Sequence, residues 1–141
     1  MGLAVAAFDQ LTKAWAVNAL VEGPIVLIED LLQFRLTFNS GASFSTFSNG
    51  GPFLAVIAVG VIVMIFYVLG DASKRIEAIG LGLVLGGSLG NLTDRIFRGD
   101  GFLDGAVVDF IDVRVFTNNF ADIALFVGVA LLLFSAFGRR S

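Results

Sequence analysis

Two long apolar runs, residues 53–70 and 120–137, restrict what this chain can fold into more than any other feature. A transmembrane helix needs about 20 predominantly apolar residues, and both runs come close to that length. The composition agrees, because 57% of the 141 residues are hydrophobic and only 15% are charged. A typical soluble domain carries about 25% charged residues. We therefore expect an integral membrane protein.

Two further segments are long enough to cross a membrane but carry polar residues. Residues 78–95 are apolar up to Leu89 and polar beyond it, and residues 1–20 are interrupted by Asp9, Gln10, Thr12 and Lys13. With the two apolar runs they predict an all-α membrane protein in one domain, residues 1–141. Its four transmembrane helices are expected over about residues 1–20, 53–70, 78–95 and 120–137.

The two segments between these helices, residues 21–52 and 96–119, are too polar to span a membrane. The first contains an alternating run at 33–38, which predicts a β-strand, and ends in a break at 48–52 before the next helix. The second contains a Gly-Asp-Gly turn at 99–101.

Basic residues predict the orientation of the chain. Lys74 and Arg75 lie in the short connection 71–77, and Arg139 and Arg140 lie near the end of the sequence. Short loops rich in Lys and Arg stay in the cytoplasm, so we expect both termini there and segments 21–52 and 96–119 at the outer face. The first seven residues carry no basic side chain, so no cleavable leader is expected.

The residue inventory excludes several kinds of chemistry. The chain has no Cys and no His, which excludes disulfides, thiolate or imidazole ligands and every nucleophile that depends on histidine. The 9 basic and 12 acidic residues are scattered and sum to a net charge of -3, which argues against a nucleic-acid partner. We expect no metal and no cofactor. Any catalysis must use carboxylates, Lys, Arg, Asn, hydroxyl groups and water.

Charged residues inside predicted helices are costly and need a partner or a function. Asp9 and Lys13 are four residues apart, the spacing at which opposite charges pair on a helix. They are interpreted as a pair that neutralises itself, with a direct role in binding as the alternative. Asn91, Asp94 and Arg95 share one face at the outer end of the third helix. They form either part of a site or an Asp-Arg pair that closes the helix.

Glycines recur every four residues along the third predicted helix, at Gly82, Gly86 and Gly90. Small residues at this spacing form a groove into which a neighbouring helix can pack closely. The pattern by itself predicts helix packing.

Two more carboxylates lie where the chain should meet the membrane from outside. Asp109 follows an apolar stretch, and Asp122 is the third residue of the fourth predicted helix. Asp122 could cap that helix, because the helix dipole favours a carboxylate in the first turn. Alternatively the two form a dyad, in which one carboxylate takes a proton from water and the other, kept protonated, donates to a carbonyl oxygen.

Four blocks of the sequence resemble the lipoprotein signal peptidase family, also called signal peptidase II, in order and over most of the chain. They are residues 9–13, 39–45, 86–95, and 107–110 together with 119–122. The resemblance implies that Asp109 and Asp122 are the catalytic pair of a membrane aspartic protease. It implies that further residues bind substrate or orient the site: Asn39, Gly41, Asn91, Asp94, Arg95 and Asn119. The resemblance also implies that Asp9 and Lys13 are a polar pair that supports the site.

The resemblance also implies the fold and the partners. The four helices would carry a small extracytoplasmic β-cradle from the first outer segment, in a monomeric protein of the bacterial cytoplasmic membrane. The substrate would be a prolipoprotein signal peptide cut just before a diacylglyceryl-modified Cys, with membrane lipid around it and globomycin as an inhibitor. The glycines of segment 99–105 predict a flexible flap over the site.

Two rival classes are consistent with parts of the sequence. A small ion- or proton-coupled transporter or channel subunit would explain charges within helices. It would need polar groups toward the inner side, however, and residues 53–70 and 120–137 are apolar beyond their outer ends. A purely structural subunit would leave Asp109 and Asp122 without a shared function.

Overall fold

The long apolar segments form four helices in the computed structural model, which describes residues 1–41 and 50–137. Within these residues the helices are α1 (Gly2–Ala19), α2 (Gly50–Val68), α3 (Arg75–Phe97) and α4 (Phe120–Phe137). A single 3-10 turn, Leu69–Asp71, follows α2. The predicted basic tail, Arg139 and Arg140, and residues 42–45 of the second sequence block lie outside the described part of the chain.

Three of the described helices, α2, α3 and α4, are long and apolar enough to cross a membrane. Their number and hydropathy are those of a multi-pass membrane protein. Helix α1 has 18 residues but does not reach the same hydropathy, since Asp9, Gln10 and Lys13 interrupt its apolar sequence.

The predicted bounds of the helices are close to the observed ones. Helix α4 was predicted to the residue, whereas α2 and α3 each begin three residues earlier than expected. The predicted break at 48–52 is wrong for its last three residues, which start α2. Pro52 fits there because the amides of a helix's first turn have no partner within the helix. Residues 48–49 lie outside the described part of the chain.

A four-stranded antiparallel sheet covers one end of the helices, so the fold is mostly helical and not all-α. Its strands, in spatial order, are β1 (Ile25–Ile28), β2 (Leu32–Asn39), β3 (Val107–Asp112) and β4 (Thr117–Asn118). The strand predicted at 33–38 is confirmed as part of β2. The sheet expected from the first outer segment is confirmed in part, because that segment supplies β1 and β2 while the second segment supplies β3 and β4.

The sheet is anchored on the end of α1 by aromatic side chains. Trp15 packs edge-on against Phe34 of β2 and Phe110 of β3, with ring centroids 5.5 and 6.0 Å away. Ala16 and Leu20 complete a buried cluster with Phe110. This packing holds β3, and therefore Asp109, against the helical bundle.

The predicted glycine groove on α3 is confirmed, and α1 fills it. A Cβ atom placed on Gly86 would lie 2.6 Å from the carbonyl oxygen of Gly2, and one on Gly90 would lie 2.5 Å from Oδ2 of Asp9. The adjacent Gly87 faces α4 in the same way, 2.5 Å from the carbonyl oxygen of Ala121. Helix α3 is therefore the central helix, in contact with both α1 and α4.

Gly86→Ala is expected to destabilise the protein by about 1–3 kcal/mol, because the added methyl group meets backbone that cannot move aside cheaply. Gly60→Ala is the matched control, since a Cβ there meets nothing within 4 Å. Thermal unfolding in detergent measures both variants. Equal melting temperatures for the two would contradict this account of the α1–α3 contact.

Candidate active site

The two predicted catalytic carboxylates line the same cavity of about 500 Å³, whose walls come from the sheet and from α2, α3 and α4. Asp109 comes from the middle of β3 and is 2% exposed. Asp122 comes from the first turn of α4. Asn39, Asn91 and Arg95 line the cavity with them. The structure thus brings together residues that are far apart in the sequence.

Asp122 takes part in a helix cap and also reaches the cavity. Its Oδ2 accepts a hydrogen bond from the backbone amide of Asn119 at 3.2 Å, while Oδ1 of Asn119 accepts one from the amide of Asp122 at 2.9 Å. This reciprocal arrangement is a capping box. The other oxygen, Oδ1, accepts from Nδ2 of Asn91 at 2.9 Å. The capping interpretation is therefore right for one oxygen only.

Two carboxamides hold Asp109. Nδ2 of Asn119, a fully buried residue, donates to Oδ1 of Asp109 at 2.6 Å, and Nδ2 of Asn39 donates to Oδ2 at 3.1 Å. The amide of Gly41 donates to Oδ1 of Asn39 at 2.9 Å, which turns the Nδ2 group of Asn39 toward Asp109. Gly41 has φ +86°, a conformation that favours glycine.

Asn91 connects the two halves of the site. Its Oδ1 accepts from Nδ2 of Asn119 at 3.1 Å and from Nζ of Lys13 at 2.9 Å. An ammonium group can only donate, so it fixes which end of the Asn91 amide faces Asp122. A continuous hydrogen-bonded chain thus runs from Lys13 through Asn91 and Asn119 to both carboxylates.

Lys13 is fully buried and neutralised by two carboxylates. Its Nζ lies 2.8 Å from Asp9 and 2.9 Å from Asp94. The predicted Asp9–Lys13 pair is confirmed, and Asp94 is a partner that the sequence did not indicate. Oδ1 of Asp9 also accepts the backbone amide of Ala121 at 2.8 Å, which ties α1 to the first turn of α4.

The predicted pair between Asp94 and Arg95 is wrong. Neighbouring residues on a helix do not face each other, so the two side chains diverge. Asp94 is instead 2.8 Å from Nε of Arg98, one helical turn away, and its Oδ2 accepts the amide of Val108 at 3.1 Å. Nη1 of Arg95 donates to the carbonyl oxygen of Gly105 at 3.3 Å.

Gln10 and Arg98 belong to the polar core but were not predicted. Nε2 of Gln10 donates to Oδ1 of Asp94 and to the carbonyl oxygen of Gly90, both at 3.0 Å. A polar side chain beside Asp9 was one available signal, and the four-residue spacing of Asp94 and Arg98 was another.

Asp112 forms a second polar cluster, in the sheet. Its Oδ2 accepts from Nε2 of Gln33 at 2.7 Å and lies 3.0 Å from Nε of Arg35, and its Oδ1 accepts the amide of Arg114 at 2.8 Å. These hydrogen bonds, the one from Gln33 above all, lower the pKa of Asp112 below its usual value. Asp112 therefore stabilises the sheet in its ionised form.

Asp109 has the opposite electrostatic environment. Burial above all, and then the negative charge of Asp122, raise its pKa from 3.8 to about 6, against hydrogen bonds from Asn119 and Asn39 that lower it. This carboxyl group can therefore hold a proton close to neutral pH.

The raised pKa of Asp109 predicts a pH-dependent stability. Ionisation disfavours the folded state, so stability is retained below pH 4 and lost as the pH rises through about 6. A shift from 3.8 to about 6 corresponds to a loss of about 3 kcal/mol. The difference in unfolding free energy between wild type and Asp109→Asn should fall by this amount between pH 4 and 7. Unfolding curves at a series of pH values measure it, and a constant difference would contradict the assignment.

Fold and site together define a polytopic membrane protein with two carboxylates in one cavity at the end of its helical bundle. Residues 1–138 match the family model described as signal peptidase (SPase) II, and the chain belongs to this family. It is 43% identical to the lipoprotein signal peptidase of Rhodococcus jostii over 131 residues, which cover 92% of this chain and 66% of that protein. It is 47% identical to that of Streptomyces griseus over 117 residues, 81% of this chain and 59% of the relative.

The chain thus spans less than two thirds of the length of either relative. The lipoprotein signal peptidase of Mycobacterium tuberculosis is 41% identical over 141 residues, 98% of this chain and 70% of that one. A bacterial membrane enzyme solved by the in meso method at 2.3 Å superposes with a TM-score of 0.84 at 25% identity, over 99% of this chain and 87% of the other. These similarities leave the transporter interpretation without support.

Proposed function

We propose that this chain is an aspartic endopeptidase that removes the signal peptide from diacylglyceryl-modified prolipoproteins and cuts just before the lipidated Cys. One observation carries the proposal: Asp109 and Asp122 line one cavity and are joined through Asn91 and Asn119, in a member of the signal peptidase II family. Neither thiol nor imidazole chemistry is open to a chain without Cys and His.

The two carboxylates have different roles in proton transfer, one as the general acid and the other as the general base. The raised pKa of Asp109 favours the proton on this residue, so Asp122 is assigned the role of the base. Asp122 takes a proton from a water molecule as its oxygen attacks the scissile carbonyl carbon, while Asp109 donates its proton to the carbonyl oxygen. When the C–N bond breaks, Asp122 passes its proton to the leaving nitrogen. The proton on the former carbonyl oxygen returns to Asp109, and the pair is restored.

The surrounding residues orient this pair. Asn39 and Asn119 position Asp109, and Asn91 positions Asp122. The backbone amide of Gly41 fixes the orientation of the Asn39 side-chain amide. Lys13, which is paired with Asp9 and Asp94, fixes the orientation of the Asn91 side-chain amide. Arg95 lines the cavity with a hydrogen bond to Gly105. Its guanidinium group can hold the substrate backbone there, because it offers several donors in a fixed plane.

In the membrane, α1 completes a bundle of four transmembrane helices, with its polar residues facing α3 and α4. The basic residue Arg75 begins α3, and Arg95 lies 20 residues further along the same helix, about 30 Å away. This separation supports a site at the outer face, with both termini in the cytoplasm of a bacterial cell. The protein would act as a monomer in the cytoplasmic membrane, with lipid around it and globomycin as an inhibitor.

The proposed flap comprises residues 99–104 and is therefore shorter than the predicted segment 99–105. Gly105 is buried against α3, where its amide donates to the carbonyl oxygen of Arg95 at 3.1 Å and its carbonyl accepts from the side chain of Arg95. Gly99, Gly101 and Asp104 remain as the part that can open, with Asp104 accepting the amide of Gly101 at 3.0 Å.

Purified protein should cleave a diacylglyceryl prolipoprotein and leave the unlipidated form largely intact. Mass spectrometry identifies the products, and the new N-terminal residue should be the lipidated Cys. Globomycin should stop the reaction. Failure to cut either form, or cleavage of both at equal rates, would refute the proposed substrate.

A further inference from the structure

The cavity extends well beyond the two carboxylates, as a groove along α3. Most of its lining residues on this helix recur at helical spacing, at Leu81, Val84, Ser88, Asn91 and Arg95, and Leu92 also lines it. At 1.5 Å per residue they mark a length of about 21 Å. Apolar residues of α2 line it as well: Leu54, Ile57, Ala58, Val61, Met64 and Ile65. The groove is continuous with the proposed catalytic pair.

Ser88 is a polar residue within this apolar stretch. It is 4% exposed and lines the cavity, yet its hydroxyl group makes no hydrogen bond to any residue in 1–41 or 50–137. The other buried helical serine behaves differently, because Ser135 donates to Glu77 at 2.7 Å. Thr93 donates to the carbonyl oxygen of Leu89 at 2.7 Å. No buried side-chain oxygen or nitrogen among the described residues lacks a partner, so the hydroxyl oxygen of Ser88 is open to the cavity, where a ligand can pair with it.

The chemistry of that ligand follows from what a hydroxyl group can bind. An acyl chain has no atom that accepts a hydrogen bond, whereas a peptide has carbonyl groups. A signal helix that ends before an extended scissile bond leaves its last carbonyl groups unpaired. In an apolar groove shielded from water such groups need a donor.

We propose that Ser88 is a positioning residue whose Oγ–H donates to a backbone carbonyl group of the signal peptide. Ser88 lies three residues before Asn91 on α3, a rise of about 4.5 Å, which an extended peptide covers in one or two residues. The carbonyl group therefore belongs to one of about three residues before the lipidated Cys. This inference rests on the proposed function.

Three variants separate the hydroxyl group from the shape of the side chain. Ser88→Thr and Ser88→Val have nearly the same shape, but only Thr keeps a hydroxyl group. Ser88→Ala and Ser88→Val are expected to raise KM for a lipidated prolipoprotein by about three- to ten-fold with little change in kcat, as loss of a neutral hydrogen bond does. Ser88→Thr should stay near the wild-type KM.

Melting temperatures test whether Ser88 has a structural role instead. Ser88→Ala should not lower the melting temperature, because no hydrogen bond within the described protein is lost, whereas Ser135→Ala should lower it. Equal KM values for Ser88→Thr and Ser88→Val, or a melting temperature lowered by Ser88→Ala as much as by Ser135→Ala, would overturn the inference. Failure of the proposed function would appear separately, as absence of cleavage by the wild type.

Discussion

Replacing either Asp109 or Asp122 with Asn is expected to lower kcat by at least about 10³-fold while the protein still folds. Each substitution keeps the size of the side chain but removes the acid or the base of the pair. Substrate binding should change little, because the groove along α3 is untouched. Initial rates on a lipidated prolipoprotein and globomycin binding measure the two effects separately.

The fold should survive both substitutions. An Asn at position 109 keeps an oxygen for one of the two amides that now donate to different oxygens of Asp109, and it relieves the repulsion from Asp122. Unfolding of either variant would show that the carboxylate is structural.

Two control variants test whether the loss of activity is specific to Asp109 and Asp122. Glu29→Gln changes an exposed carboxylate between β1 and β2 and should leave both rate and stability unchanged. Asp112→Asn should lower stability, because the carboxylate holds Gln33, Arg35 and the amide of Arg114, but it should leave most of kcat. Active Asp109 and Asp122 variants together with an inactive Asp112→Asn would mean that the wrong pair had been chosen.

Lys13→Met is expected to destabilise the protein by about 3–5 kcal/mol, because it leaves the buried Asp9 and Asp94 without their shared cation. Arg98→Met is the matched control. It removes another cation from Asp94, but the side chain of Arg98 is 30% exposed and the loss should be about 1 kcal/mol or less. Chemical unfolding in detergent measures both.

A double variant tests whether uncompensated negative charge causes the destabilisation by Lys13→Met. Lys13→Met combined with Asp9→Asn should be less destabilised than Lys13→Met alone, because one uncompensated charge has been removed. If Lys13→Met unfolds like the wild type, the charge cluster does not stabilise the bundle in the way proposed.

Regular patterns in the sequence predicted some elements well. The long apolar run 120–137, whose only charged residue is Asp122, predicted the bounds of α4, and alternation predicted the position of β2. The strand β3 was missed because Val107–Asp112, with Asp at positions 109 and 112, does not alternate strictly between apolar and polar residues, so no periodicity distinguishes a strand from a helix. The start of α2 was missed because Gly50 and Pro52 are frequent in turns but also fit the first turn of a helix.

The site was predictable only in part. Spacing alone left Asp122 between a cap and a dyad, and the structure shows that its two oxygens serve different partners. The meeting of Lys13 with Asp94 depends on the register of α1 against α3, and no local pattern encodes that register. Ser88 gave no signal for the same reason, since its surroundings come from three helices.

In the proposed mechanism, Asp109 and Asp122 activate water directly and form no covalent intermediate with the substrate. A single turnover in ¹⁸O-labelled water, followed by mass spectrometry of peptide products and enzyme, distinguishes this mechanism from a covalent one. Direct attack by water should place one ¹⁸O atom in the new carboxylate of the released signal peptide and none in the enzyme peptides that contain Asp109 or Asp122. Label in either aspartate, or an unlabelled signal peptide after cleavage, would contradict it.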